Sequence, residues 1–386
     1  MSRRSLIATL TAGAGAVAVG ATPAQARENA QEPEASRAPL RADGHTTRLV
    51  LLGTAGGPPW WPNSNREGIS SALVVGDRYY VIDAGDGVGR QLRKARLGSW
   101  QNDLGGPLDK LAGVFLTHLH SDHIVDLNNL LTEGLSNGIP RADLPIPLIG
   151  PGNRGALPPL FGPDPTPPVV APENPTPGTR EMWEAMVRAY ATDFNDRARD
   201  SRKPVPDQFV DARDIVLPSW ATDDPNGAPA PDMAPVPVYE DDHIRVTGTL
   251  VDHAPVFPAL AYRFDTEDGS VVFSGDTAPC DNLVRLARDA DVLVHEVIDR
   301  TWPESMFPEP RTPAQEASLH HLLNAHTTVE DVGPVAERAG VRTLVLSHLV
   351  PGNRPDSVWR EARHGFSGRL LIGHDLDEVG IGERRR

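Results

Sequence analysis

Short apolar runs, each closed by glycine or aspartate, set the rhythm of the chain. Arg48-Leu-Val-Leu-Leu-Gly53 reads as a strand that ends on Gly53 to Gly57. Ser71 to Gly76 and Arg78 to Asp83 read as a strand pair joined by a turn around Gly76-Asp77. After the glycine turn Asp83 to Gly87, Val88 to Arg96 has helical spacing. Leu111 to Leu116 is a buried strand, and Ile124 to Leu135 carries apolar residues at helical intervals. The rhythm returns with strands at His243–Val251, Ala259–Phe264 and Ser270–Ser274. A helix at Asp281–Ala290, a strand at Asp291–Val294, a helix at Thr328–Ala339 and a strand at Thr343–Leu346 follow. Strands that alternate with helices after an opening hairpin predict an α/β protein, an αβ sandwich with mixed sheets.

Between about Gly138 and Tyr239 the pattern changes. Proline-rich segments at 140–178 and 226–237 flank Arg180 to Ala198, where Trp183, Met186, Val187, Tyr190 and Phe194 share roughly one helical face. One reading makes 138–240 a surface excursion with an amphipathic helix packed on the core. The other makes it a lid or substrate wall, because long loops near a site tend to be functional.

The ends and the composition narrow the setting. An arginine pair, Arg3-Arg4, precedes the apolar stretch Leu6 to Val19, and Ala24-Gln25-Ala26 is a small-x-small cleavage site. This pattern is expected to be a twin-arginine signal peptide removed after Ala26, which places the protein in the periplasm or outside the cell. Residues 27–45, polar and rich in Pro and Glu, are expected to be a disordered lead-in, and 46–380 one catalytic domain. The apolar stretch is short for a membrane anchor, and no later run approaches a span. A formal charge of −15 makes the protein a poor general partner for phosphate backbones or anionic membranes. The lone Cys280 excludes an intramolecular disulfide.

The chemistry concentrates at Thr117-His-Leu-His-Ser-Asp-His123, which puts His118, His120, Asp122 and His123 within six positions. Neutral imidazole and carboxylate are ligands that zinc prefers, and burying such a cluster is costly unless a metal satisfies it. His253, Asp276, Glu296 and His348 also stand just past the ends of expected strands, where a layered α/β fold presents groups to a common cleft. Asp83 reads as a hydrogen-bonding support for the ligand histidines. His295, His320, His321, His364 and His374 read as surface or structural histidines, and Cys280 as a buried, inert thiol.

His118-x-His120-x-Asp122-His123 followed in order by His253, Asp276 and His348 resembles the metallo-β-lactamase superfamily. The blocks Leu52 to Pro58, Asp83 to Gly87, Ser274 to Thr277, His295-Glu296, His326 to Thr328 and Leu346 to His348 resemble its ribonuclease Z-like branch in particular. The resemblance implies a four-layer αβ/βα sandwich carrying two divalent metals, expected to be Zn²⁺. His118, His120 and His253 would hold the first metal and Asp122, His123 and His348 the second, with Asp276 bridging. Such a pair shares a water and lowers its pKa towards neutrality. Oxygen-reducing di-iron relatives typically have Glu where this chain has His120, and class B lactamases have Cys where it has Asp276, so neither activity is implied. Asp122 is expected to orient the nucleophile, and His326 with Glu296 to assist the leaving group. His326 also reads as a helix cap before Thr327-Thr328.

The chain departs from that branch in lacking a basic arm suited to gripping tRNA, and in its export signal. The expected substrate is therefore a small phosphodiester or related ester, with tRNA not expected and homodimerisation left open. An arylsulfatase-like or lactonase-like hydrolase is the alternative, favoured if Trp60, Trp61 and the helix of the 138–240 segment form an apolar wall for an aryl leaving group. A non-catalytic metal- or ligand-binding protein of the same fold is a third.

Overall fold

The computed structural model describes residues 37–100, 106–162 and 166–383. The segment expected to be a signal peptide, with Arg3, Arg4 and Ala26, lies outside the described residues, as does the first part of the expected lead-in, 27–36. The remainder of the lead-in is docked. Arg37 donates to Asp377 at 2.9 Å, the Leu40 amide donates to the same carboxylate at 2.7 Å, and Ala42 is buried.

Fourteen strands are present among the described residues. They are β1 (Thr47–Gly53), β2 (Ser70–Val75), β3 (Arg78–Ile82), β4 (Leu111–Phe115), β5 (Ile146–Gly150), β6 (Val210–Asp214), β7 (Val236–Glu240), β8 (Arg245–Leu250), β9 (Leu260–Asp265), β10 (Ser270–Phe273), β11 (Val292–Ile298), β12 (Thr343–Val350), β13 (Arg369–Ile372) and β14 (Glu378–Ile381). They form two seven-stranded sheets, ordered β14-β1-β2-β3-β4-β5-β6 and β13-β12-β11-β10-β9-β8-β7. Both are mixed: β1 to β3 pair antiparallel and β3 to β6 parallel, while β7 to β10 pair antiparallel and β10 to β13 parallel.

The layering follows from which side chains each strand buries. In β1, Leu49 and Leu51 point into a core shared with Val246, Phe264 and Val271 of the other sheet. Val50 and Leu52 point the opposite way, onto Leu92 of the helix Val88–Lys94 and Leu130 of the helix Leu127–Thr132. On the second sheet Val294 faces the shared core, whereas Leu293 and Leu344 pack on Leu283 and Val332 of the helices Asp281–Leu286 and Val329–Ala339. Period-two alternation with both faces covered explains the unbroken apolar runs. Three cores between helices, sheet, sheet and helices make the four-layer α/β sandwich.

The segment 138–240 is more than an excursion. It supplies β5 and β6 to the first sheet and the edge strand β7 to the second. Proline hides these strands from a sequence pattern, because it removes a ladder donor. The structure tolerates Pro147 because pairing with β4 is carried by Leu148 and Ile149. The expected single helix at 180–198 is two, Thr179–Ala189 and Ala191–Asp200, and they bury Trp183 and Phe194 against Phe209.

Candidate metal centre

Both sheets send their chemistry to one place. Asp83 follows β3, and His118 to His123 follow β4. His253 follows β8 and Asp276 follows β10. Glu296 and His348 lie inside β11 and β12, which run further than the sequence suggests. The parallel ladder between those two strands slips between His295–Leu346 and Val297–Leu349. Glu296 and His348 sit at that slip, where a bulge re-aims side chains next to a site. His348 has φ 47°, in the left-handed region that non-glycine residues rarely adopt. Gly56 lets its ring in: a Cβ there would stand 2.4 Å from His348 Nδ1.

The residues form two groups whose ligand atoms lie within 4.8 Å of one another: His118, His120 and His253, and Asp122, His123, Asp276 and His348. Asp276 stands between them. Its carboxylate is 3.4 Å from His123 Nε2, 3.3 Å from His348 Nε2, and 3.9 Å from both His118 Nε2 and His253 Nε2. Protein groups hold the far side of several rings. His253 Nδ1 meets the Ala325 carbonyl at 2.8 Å, His118 Nδ1 meets Thr117 Oγ1 at 3.2 Å, and His123 Nδ1 meets Asp83 at 2.8 Å. Asp83 also accepts from the Thr117 amide and hydroxyl, which pins the start of the histidine loop. On the near side, His118 Nε2, His123 Nε2 and Asp276 Oδ1 are buried without a hydrogen bond of acceptable geometry. Unpaired buried polar atoms are costly, and this donor set fits divalent ions of the zinc type.

The electrostatics of His118 and His253 agree with ligation. Burial pushes His118 and His253 well below the usual imidazole range, and neighbouring histidines add to the shift. That favours the neutral form that binds metal. His123 moves up: burial opposes the rise, but Asp276, Asp122 and Asp83 outweigh it. Burial likewise opposes protonation of Asp276 being lost, yet His348, His123 and His118 hold its carboxyl well below the normal range.

His326 lies at the edge of this cluster, not at a helix cap. Thr328 is the N-cap of Val329–Ala339, and its hydroxyl bonds Asp331. His326 Nδ1 contacts Glu296 Oε1 at 3.1 Å and is 3.9 Å from Asp276. Glu296 Oε1 also accepts from the amides of Thr277 and Thr327. Burial works against a charged His326, but Glu296 and then Asp276 push it up to about 9.

His321 is the residue that sequence reasoning misplaced. Its ring lies 5.5 Å from that of His253, 5.7 Å from His326 and 6.1 Å from His120, and with His253 and His326 it forms a third group able to hold a metal. Burial, then the His326 and His120 charges, lowers it to about 4. The helix Pro313–Asn324 that carries it has weak amphipathic patterning, so nothing in the sequence directed the ring inward. His295 is fully buried and bonds the Glu296 carbonyl, and His364 is exposed, both as expected. Cys280 is buried, and its thiol is pushed up by burial. Beside Asp122 opens a chamber of about 370 Å³ bordered by Trp60, Trp61 and Arg66, with Trp60 90% exposed.

The fold and the site together define the class: the profile of the Metallo-beta-lactamase superfamily matches residues 65–323, and the chain belongs to that superfamily of metallo-hydrolases. More particular relatives carry the name ribonuclease Z. The Mycobacterium bovis protein is 31% identical over 340 residues, spanning 87% of this chain and 99% of its own length. The Mycolicibacterium gilvum protein is 32% identical over 341 residues, covering 86% and 96%. Among solved structures, human tRNase Z, short form, aligns with a TM-score of 0.53 at 16% identity over 86% of this chain and 99% of its own. A metallo-beta-lactamase fold protein from Bacillus subtilis aligns with a TM-score of 0.52 at 18% identity over 86% and 98%. These relatives run against the exclusion of tRNA drawn from the sequence. That exclusion rested on scattered charge in 138–240 and on the export signal, neither of which is a property of the cleft. No helix among the described residues is long and apolar enough to cross a membrane.

The support given by Asp83 is open to test. Asp83→Ala frees the His123 ring and is expected to weaken metal affinity about 10–100-fold, the usual effect of losing a partner behind a ligand. Competition with a chromogenic chelator measures it. Unchanged affinity would leave Asp83 as an anchor of the Thr117 loop alone.

Proposed function

We propose that this chain is an exported, two-metal phosphodiesterase with zinc as its metal. The observation that carries the reading is the Asp276 carboxylate, 3.3–3.9 Å from imidazole nitrogens of both ligand groups and beside the His326–Glu296 pair. Ions held there would supply positive charge to phosphoryl oxygens and an acidified water. His118, His120 and His253 would hold one, Asp122, His123 and His348 the other, and Asp276 both. Zinc suits an imidazole-rich set.

The chain's own residues do the rest. The Gly57 amide donates to Asp122 at 3.0 Å and fixes the carboxylate that orients the attacking water. Glu296, held by two backbone amides, receives Nδ1 of His326 and so fixes the ring beside Asp276. His326 then delivers a proton to the departing oxygen. The ribonuclease Z name of the relatives supports a phosphodiester as the bond broken, RNA included.

A panel on metal-quantified protein tests the reading: bis(p-nitrophenyl) phosphate, p-nitrophenyl phosphate, p-nitrophenyl sulfate, a lactone and a precursor tRNA. Fastest turnover of a phosphodiester is expected. Preference for the sulfate or lactone would replace the proposed bond, and no turnover on any arm would favour a binding protein.

Export is a separate expectation. If Arg3-Arg4 is read as a twin-arginine signal, Arg3→Lys with Arg4→Lys holds the precursor inside the cell with Ala26 attached. Secretion of the double variant at the wild-type rate would remove the twin-arginine assignment.

A further inference from the structure

A second chamber, of about 520 Å³, meets the ligand cluster at His120, which with Leu119 and Ile124 forms its floor. One wall belongs to the segment 138–240, chiefly Pro151, Pro158 and Met182. Val256 and Phe257, just past the ligand candidate His253, also line it. We propose that this chamber binds the hydrophobic substituent of the substrate, an aryl or branched alkyl group attached to the phosphoryl centre. The proposal rests on the phosphodiesterase reading and adds the substrate class to it.

The chamber's volume falls in the range of small-molecule sites, which are mostly apolar with a few placed polar groups. No acid is among the described residues that line it, and Arg154 is the one Lys or Arg. The Arg154 guanidinium donates through its Nη atoms to the Ala156 carbonyl at 2.6 Å and to Asn226, and its buried Nε has no hydrogen-bond partner. An occupant that brought several phosphates would find a single cation among prolines, whereas an uncharged ring or branched chain would meet Met182, Val256 and Phe257. His120 is only half-buried, and it is shared by this floor and the His118–His120–His253 group. A group bonded to a phosphoryl centre at the cluster therefore enters the chamber directly. The segment also touches the helix Pro313–Asn324. Phe161, 54% exposed, packs its ring 5.2 Å from His320 on the helix that carries His321.

Calorimetric titration of methylphosphonate and phenylphosphonate into the metal-loaded protein reads this chamber without turnover. Phenylphosphonate is expected to bind at least about tenfold more tightly, the scale of burying one aromatic side chain's worth of apolar surface. Met182→Glu should erase most of that preference while leaving methylphosphonate within about twofold. Pro158→Asp, on an exposed loop, should reduce it without risk to the fold. Equal affinity for the two ligands in the wild type overturns the proposal, as does a preference untouched by both variants. Phosphodiester turnover with no aryl preference would keep the function and remove the chamber. An aryl preference without phosphodiester turnover would keep the chamber and remove the function.

Discussion

Asp276→Ala is expected to empty the centre, taking purified protein from about two metal equivalents to well under one and abolishing hydrolysis. The expectation follows from position. Asp276 lies near imidazoles of both groups, at 3.3 Å from His348 and 3.9 Å from His118 and His253. Without it, the first group keeps three neutral donors and no anion. The second keeps Asp122 as its only anion. The side chain is buried and makes no hydrogen bond through Oδ1, so its loss should not unravel a layer of the fold. Elemental analysis on protein shown by circular dichroism to be folded checks this. Retention of both metals by the folded variant would mean that Asp276 does not bridge.

His326→Ala should leave metal content intact yet slow turnover roughly 10²–10⁴-fold, the range for a positioned proton donor. The loss should shrink for leaving groups such as nitrophenolate that depart without protonation, and Glu296→Gln should reproduce part of it by loosening the His326 Nδ1 contact. A deficit independent of leaving-group pKa would point to a packing role. His326 does stack on His348 at 6.0 Å and lies against His253 at 4.9 Å, so the slope against leaving-group pKa is the deciding quantity, not the loss itself.

Much of this centre was legible in the sequence because its ligands travel with strong local signals. His118 to His123 follow an apolar strand, and His253, Asp276 and His348 each follow or end one, so order and spacing announced the cluster before any geometry. Strands rich in prolines were not legible. β5 and β7 contain Pro147 and Pro237, and their pairing depends on which neighbour needs the missing donor, a property of register and not of pattern. His321 escaped for a related reason. Its place beside His253 and His326 is set by how the helix Pro313–Asn324 packs, and that helix has no clear apolar face to report its orientation. The two possible roles of His326 could not be separated until Thr328 was seen to cap the helix and Glu296 to hold the ring.

Stepwise metal addition to the metal-free protein, followed by bis(p-nitrophenyl) phosphate turnover, bears most directly on the central claim. A two-metal phosphodiesterase predicts activity that rises with added zinc and breaks to a plateau at about two equivalents per chain. A plateau at one equivalent, or folded protein that binds two equivalents without turning over the diester, would contradict it.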